Sequence, residues 1–230
     1  MKKVIATTMA AFLVAQVASA ISTSVDFASA YVFRGTTVND GFVIQPGVEG
    51  EVAGLTVGAW ANIDMDNVGG DQVSEIDLYI AKDLGSVAGW DISAGLCEYT
   101  YPGATADDAL GAPADVGDGE TELSISASGS VSGFDLSVSA FADIAESSTP
   151  GYYEISTGGS TSLAGVAVDY GIATGYFDGE DDDSTGLGYA AYSLSYDTGA
   201  GVVSATYIDE MDADIVAVDE TVVLSFGMSL

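Results

Sequence analysis

The 230-residue chain contains no histidine and one cysteine, Cys97. Without an imidazole there can be no Ser–His relay, so phospholipase-type nucleophilic hydrolysis is excluded. One thiol cannot form an intramolecular disulfide, and Cys97 reads as a small buried or lumenal thiol. Basic residues are nearly as scarce, with four Lys and Arg against 35 Asp and Glu. A nucleic-acid partner needs a basic surface against its phosphates and is therefore excluded. After residue 20 no run approaches 18 apolar residues, the length that would cross a membrane as a helix, and no helical stripe is present. Nothing in the residue set calls for a catalytic group, a cofactor or a metal. The glycine-rich GLGYAAY at 186–192 has no strand–helix–strand context for a nucleotide. The acidic DGEDDDST at 178–185 lacks the spacing of a calcium loop and reads as a solvated, self-repelling segment.

What is present begins at the amino terminus. Lys2 and Lys3 precede an apolar stretch that closes on Ala18-Ser19-Ala20, the form of an export signal cleaved after Ala20. The segment from 21 to 230 keeps two bases, Arg34 and Lys82, for all 35 acids, yet the whole chain is 48% hydrophobic. That imbalance also suits a saline habitat, where screening relieves self-repulsion.

The apolar residues are distributed with a period of two, the mark of strands with one apolar and one polar face. At 55–65, Leu55, Val57, Ala59, Ala61, Ile63 and Met65 alternate with Thr56, Gly58, Trp60, Asn62 and Asp64. At the end of the chain, Val222, Leu224, Phe226, Met228 and Leu230 alternate with Val223, Ser225, Gly227 and Ser229. About twelve strands are predicted, near 21–34, 42–52, 55–66, 73–83, 88–100, 120–131, 134–144, 151–162, 166–177, 187–197, 202–209 and 221–230. The octets SVAGWDIS (86–93) and SVSGFDLS (130–137) are two copies of one device, a tight turn launching an amphipathic strand. Tight connections of this kind alternate with long acidic ones at 35–41, 67–72, 101–119, 145–150, 178–186 and 210–220.

An even number of strands with every short turn on one side predicts an all-β fold, a transmembrane antiparallel up-and-down β-barrel over 21–230. A secreted sandwich shares the alternation of polar and apolar residues but does not require turns that alternate short and long. Apolar residues would meet outer-membrane lipid and polar ones the lumen. Two aromatic girdles are expected, with Tyr31, Phe33, Phe42, Tyr152, Tyr153, Tyr176 and Tyr207 at the long-loop rim and Trp90, Phe134 and Tyr196 at the other. Glu98 falls in the lipid phase of its strand, which requires either a place at the outer rim or a bulge that reverses the phase. Lys82 meets the same condition at the opposite rim, where it can snorkel.

The stretches SAYVFRG (29–35), DGFVIQPGVEG (40–50) and YTYPG (99–103) resemble the TorF-type porin family of bacterial outer-membrane proteins. The likeness is best over the first hundred residues. It implies a barrel in the outer membrane of a bacterial cell whose opening strand and first loop lie around SAYVFRG. The chain departs from the family in its acidity and in ending on Leu230 where such barrels end on an aromatic residue.

Strand phase assigns a pore lining of Asp26, Arg34, Glu49, Glu51, Asp64, Glu75, Asp77, Asp91, Glu122, Asp135, Asp143, Glu154 and Asp169, spaced by Gly and Ser. Unpaired carboxylates at these positions need water, and rings of them favour cations. Arg34, the one strong base there, is expected to pair with nearby carboxylates and set a constriction. Two functions follow: a passive, cation-preferring porin for small solutes, or a non-conducting barrel whose acidic loops serve adhesion or surface structure.

Overall fold

The computed structural model describes residues 21–65, 75–101, 120–144, 151–179, 184–216 and 220–230. The export signal and most of the long acidic connections therefore lie outside the described residues. Among the described residues fourteen strands are present: β1 (Ser22–Ala28), β2 (Tyr31–Phe33), β3 (Thr36–Asn39), β4 (Val43–Val52), β5 (Leu55–Asp64), β6 (Glu75–Val87), β7 (Trp90–Thr100), β8 (Glu120–Val131), β9 (Phe134–Asp143), β10 (Tyr152–Leu163), β11 (Val166–Asp178), β12 (Thr185–Asp197), β13 (Val202–Glu210) and β14 (Thr221–Ser229). Twelve of them close an antiparallel barrel in the order β1-β14-β13-β12-β11-β10-β9-β8-β7-β6-β5-β4. Closure leaves no strand edge unpaired, the only way a sheet can lie in hydrocarbon. The seam is carried by Ser24↔Ser229 through Ala28↔Ser225, and the Leu230 amide donates to the Thr23 carbonyl at 2.9 Å.

The tight turns have one shared geometry. In Ala53-Gly54, Ala88-Gly89, Ser132-Gly133 and Ala164-Gly165 both central residues have positive φ, between 51° and 88°. This is the type I′ turn, whose twist matches that of the strands it joins, and glycine takes the second position without a Cβ penalty. The repeated octet therefore encodes a turn with a fixed register, seen in Val87↔Trp90 and Val131↔Phe134.

The outward face is apolar. Leu78, Leu123, Ile125, Ile155, Leu194 and Leu224 are each about half exposed, as expected of a surface made for lipid. Around its long-loop rim lie Phe27 with Phe42, Tyr153 with Tyr176, and Tyr192 with Tyr207, each pair 6.3 Å between centroids. At the tight-turn rim Trp90 lies over Gly129 and Tyr170 over Gly159. Glu98 keeps its lipid-side phase: it stands beside the long-loop end of β7, opposite Thr121, whose hydroxyl donates to its carboxylate. A rim position thus accounts for it. A bulge does occur, but in β6 between Asp83 and Gly85, just beyond the exposed Lys82.

Two expectations need correction. The predicted first strand, 21–34, ends at Ala28. Tyr31–Phe33 and part of the predicted loop 35–41 instead form a separate two-stranded hairpin, β2–β3. Tyr31, Phe33 and Tyr152, assigned to the outer girdle, point into the lumen, where Tyr31 packs at a tilt against Trp60 and Phe33 meets Tyr99 edge-on, with centroids 5.5 and 5.9 Å apart. Alternation alone cannot distinguish a residue that faces lipid from one on a loop folded back inside.

Candidate functional site

The hairpin is the organising feature of the lumen. Ser29 ends β1 by a reciprocal pair of hydrogen bonds to Leu224, its amide donating to the Leu224 carbonyl and its hydroxyl accepting from the Leu224 amide, both at 2.9 Å. The chain then leaves the wall. Phe33 pairs with Thr36 across a two-residue turn, Arg34-Gly35, in which both φ values are positive, at 49° and 80°. The hairpin thus uses the turn chemistry of the opposite rim, with an arginine at its tip.

Arg34 crosses the lumen to β8. Its Nη1 and Nη2 donate to Oε2 and Oε1 of Glu122 at 2.7 and 2.6 Å, a bidentate pair in which Glu122 also accepts from the Tyr99 hydroxyl at 3.1 Å. The guanidinium lies over Phe33, Phe141 and Tyr152, 4.7, 4.6 and 4.2 Å from their centroids. Fork geometry and aromatic stacking are properties of arginine that lysine does not share. Beside the tip, a Cβ on Gly35 would stand 2.6 Å from the Tyr189 ring, so only glycine allows the hairpin to close against that wall.

The hairpin is held along its length as well. Val32 belongs to an apolar cluster with Val43, Phe141, Tyr152, Tyr189 and Ile208, residues at the long-loop ends of their strands. Tyr189 and Val43 are fully buried. At the base, Asn62 Nδ2 donates to Asn39 Oδ1 at 2.6 Å, Gln45 Nε2 donates to Asn62 Oδ1 at 3.0 Å, and Asn39 Nδ2 reaches Asp64 Oδ2 at 3.4 Å. On the far wall the Tyr152 and Tyr189 hydroxyls are 2.6 Å apart, and both donate to Glu154 Oε2. The hairpin and these contacts therefore narrow the long-loop half of the barrel.

Elsewhere the lining differs. Lumenal positions of β4–β7 fall on rungs that register places side by side. Ser22, Glu49, Gly58, Tyr79 and Cys97 form one, and Ser24, Gly47, Trp60, Asp77 and Tyr99 the next. Lumenal positions of β8–β14 toward the tight turns carry mainly small hydroxyls. Ser126 and Ser139 lie 2.8 Å apart, Ser204 and Ser225 2.6 Å apart, and Ser193 and Ser195 are near them on β12.

The thirteen candidate residues separate accordingly. Arg34, Asp64, Glu75, Glu122 and Glu154 surround the hairpin, and the Tyr31 hydroxyl is bonded to Glu75. Asp77 is beside Glu75, with its Oδ1 buried and without a hydrogen bond among the described residues. Asp143 lies opposite Glu122, and Asp26 beside Gly227, where a Cβ would stand 2.1 Å from its Oδ1. Glu49 accepts from the Tyr79 hydroxyl at 3.1 Å, and Asp169 accepts from Ser160. Glu51, Asp91 and Asp135 are exposed beside the tight turns. Cys97 is buried with its thiol free. Sequence reasoning did not single out Asn39, Gln45, Asn62, Tyr99, Phe141 and Tyr189. Their strand phase was readable, but not the cross-strand and hairpin partners that hold them.

No protein-family model matches the chain, and no curated protein does. Among solved structures it is similar to one described under "Unveiling the Mechanism Behind the in-meso Crystallization of Membrane Proteins". That match has a TM-score of 0.49 and 10% identity, and covers 92% of this chain and 83% of that one. So slight a likeness adds nothing to the geometry. Closed sheet, apolar belt and polar lumen define a membrane-spanning β-barrel.

Proposed function

We propose that this barrel is a bacterial outer-membrane channel of the porin type, as the resemblance to the TorF-type family implies, passing small solutes with a preference for cations. The supporting observation is the unequal lumen: a hairpin fixed by Arg34 narrows one half, while the other is lined by Ser, Gly and carboxylates. A barrel of about eight strands is filled by its own side chains, whereas twelve leave room for an insert with water beside it. Arg34 is committed to Glu122 and Lys82 faces outward, so the field in the passage is that of the acids.

Purified protein in a planar bilayer should conduct, and under a potassium chloride gradient the reversal potential should show cation preference. That preference should fade as the Debye length falls from about 10 Å at 0.1 M to about 3 Å at 1 M salt. A folded, inserted protein that passes no current defeats the channel reading. The apolar core around Val32 then favours the second reading, a plugged barrel with a structural or adhesive role. Export and orientation are tested in intact cells in a Cys97→Ser background. Cysteines placed at Asp182 or Asp214 should be labelled, and cysteines placed at Gly54 or Gly165 should not.

A further inference from the structure

Below the hairpin, a cavity of about 240 Å³ opens among Ser22, Ser24, Gly47, Glu49, Trp60 and Tyr79. Two neighbouring rungs build it, and a glycine on each makes room. A Cβ on Gly58 would stand 2.3 Å from the Tyr79 ring, so that ring lies flat across the backbone of β5. A Cβ on Gly47 would stand 2.8 Å from Ser24 Oγ and 3.8 Å from Trp60 Cδ1. The Tyr79 hydroxyl donates to Glu49 Oε2 at 3.1 Å, which fixes the carboxylate but occupies only one of its acceptor positions. The result is a cavity whose wall presents one carboxylate, held by Tyr79, and two aromatic side chains, Trp60 and Tyr79.

The charge balance there is one-sided. Arg34 is bound bidentately to Glu122, and Lys82 is exposed on the outward face of β6. Neither of the two basic side chains after residue 20 serves Glu49. A hard metal ion would want several oxygen ligands, and no group of three or more metal-type side chains is gathered among the described residues. Aromatic faces select instead a weakly hydrated cation with an alkyl body, which gains from both the ring quadrupoles and the carboxylate.

We propose that Glu49, Trp60 and Tyr79 form a binding site for a small alkylammonium ion. The site rests on the channel reading only for the ligand's route of entry, since binding itself is measurable without conduction. Choline is the probe, and 3,3-dimethylbutanol, of the same shape without the charge, is its control. Trp60 fluorescence is followed in a Trp90→Phe background, on protein folded in micelles and checked by its β-sheet circular dichroism.

Choline should quench saturably, and the neutral analogue should need about tenfold more, the factor that 1.4 kcal/mol represents. Glu49→Gln should weaken choline binding by about the same factor and leave the analogue unchanged. Asp135→Asn, at the exposed rim, should change neither. Equal response to both probes in the unmodified site, absence of saturation, or indifference of choline to Glu49→Gln overturns the proposal. The two-probe comparison stands even where Glu49→Gln fails to fold. Saturable choline binding without current overturns the channel alone, and current without choline binding overturns this site alone.

Discussion

The two halves of the lumen are built from the same strands by opposite rules. Toward the long loops the inward positions carry Phe141, Tyr152, Tyr189 and Ile208, and the Tyr31–Asn39 hairpin packs against them as a core does in a soluble protein. Toward the tight turns the same strands, two to four residues away, carry Ser137, Ser139, Ser193 and Ser204. A soluble core offsets the burial of polar atoms by pairing them, and the long-loop half does this with Asn39, Asn62, Glu122 and Glu154, with Asp77 Oδ1 the exception among the described residues. The inner half can leave hydroxyls and carboxylates to water. One strand can thus serve a dry and a wet environment in succession without changing its period.

The comparison is broken most forcefully by removing the insert. Replacing Tyr31–Asn39 with a short Gly-Ser link should raise single-channel conductance roughly threefold or more, since the limiting aperture would then be the barrel itself. Unchanged conductance would show that the hairpin does not set it.

Next in size is the clamp. Arg34→Ala leaves Glu122 buried without its partner and should cost about 3–5 kcal/mol in urea unfolding, whereas Arg34→Met with Glu122→Leu should be nearly neutral. Equal losses in the two variants would mean that the stacking on Phe33, Phe141 and Tyr152 matters more than the charge pair.

Two glycines with nearly equal φ, Gly35 at 80° and Gly54 at 76°, separate packing from backbone strain. Gly35→Ala drives a methyl into Tyr189 and should cost about 3 kcal/mol from overpacking and left-handed backbone together. Gly54→Ala meets nothing within 4 Å and should cost about 1 kcal/mol. The smallest change is electrostatic. Glu49→Gln, Asp64→Asn and Glu75→Gln together should lower the cation-to-anion permeability ratio by roughly a factor of two in dilute salt and change it little at 1 M. Asp181, Asp182 and Asp183, which lie outside the described residues in a connection the sequence assigns to the outer side, should matter less when neutralised.

The barrel was legible because hairpin register, turn type and strand period are local properties. Ala53-Gly54 and Ser132-Gly133 announce hairpins, and a period of two fixes which face each residue takes. The lumenal phase of Asp64, Trp60 and Glu122 followed from that. The hairpin was not legible, because FASAYVFRG continues the alternation of β1 without interruption. What turns the chain inward is long-range: Leu224 captures Ser29, and Glu122, 88 residues from Arg34, takes its guanidinium. The only local sign is RG at 34–35, a dipeptide suited to a type I′ turn inside what otherwise reads as strand. Misplacing Tyr31 and Phe33 followed from that one misreading, whereas Tyr152 shares the lumenal phase of Glu154 two residues on, so alternation alone placed it inside.

The ion pair also has a mechanical meaning. The hairpin springs from the seam between β1 and β4, and β8, which holds its tip, lies almost halfway around the twelve-stranded wall. A bar joined to two separated parts of a ring resists flattening of that ring. Arg34 and Glu122 therefore act as a strut that keeps the cross-section round. Cutting the strut should let the wall adopt a range of ellipses, seen as a broadened distribution of spin-label distances across the barrel.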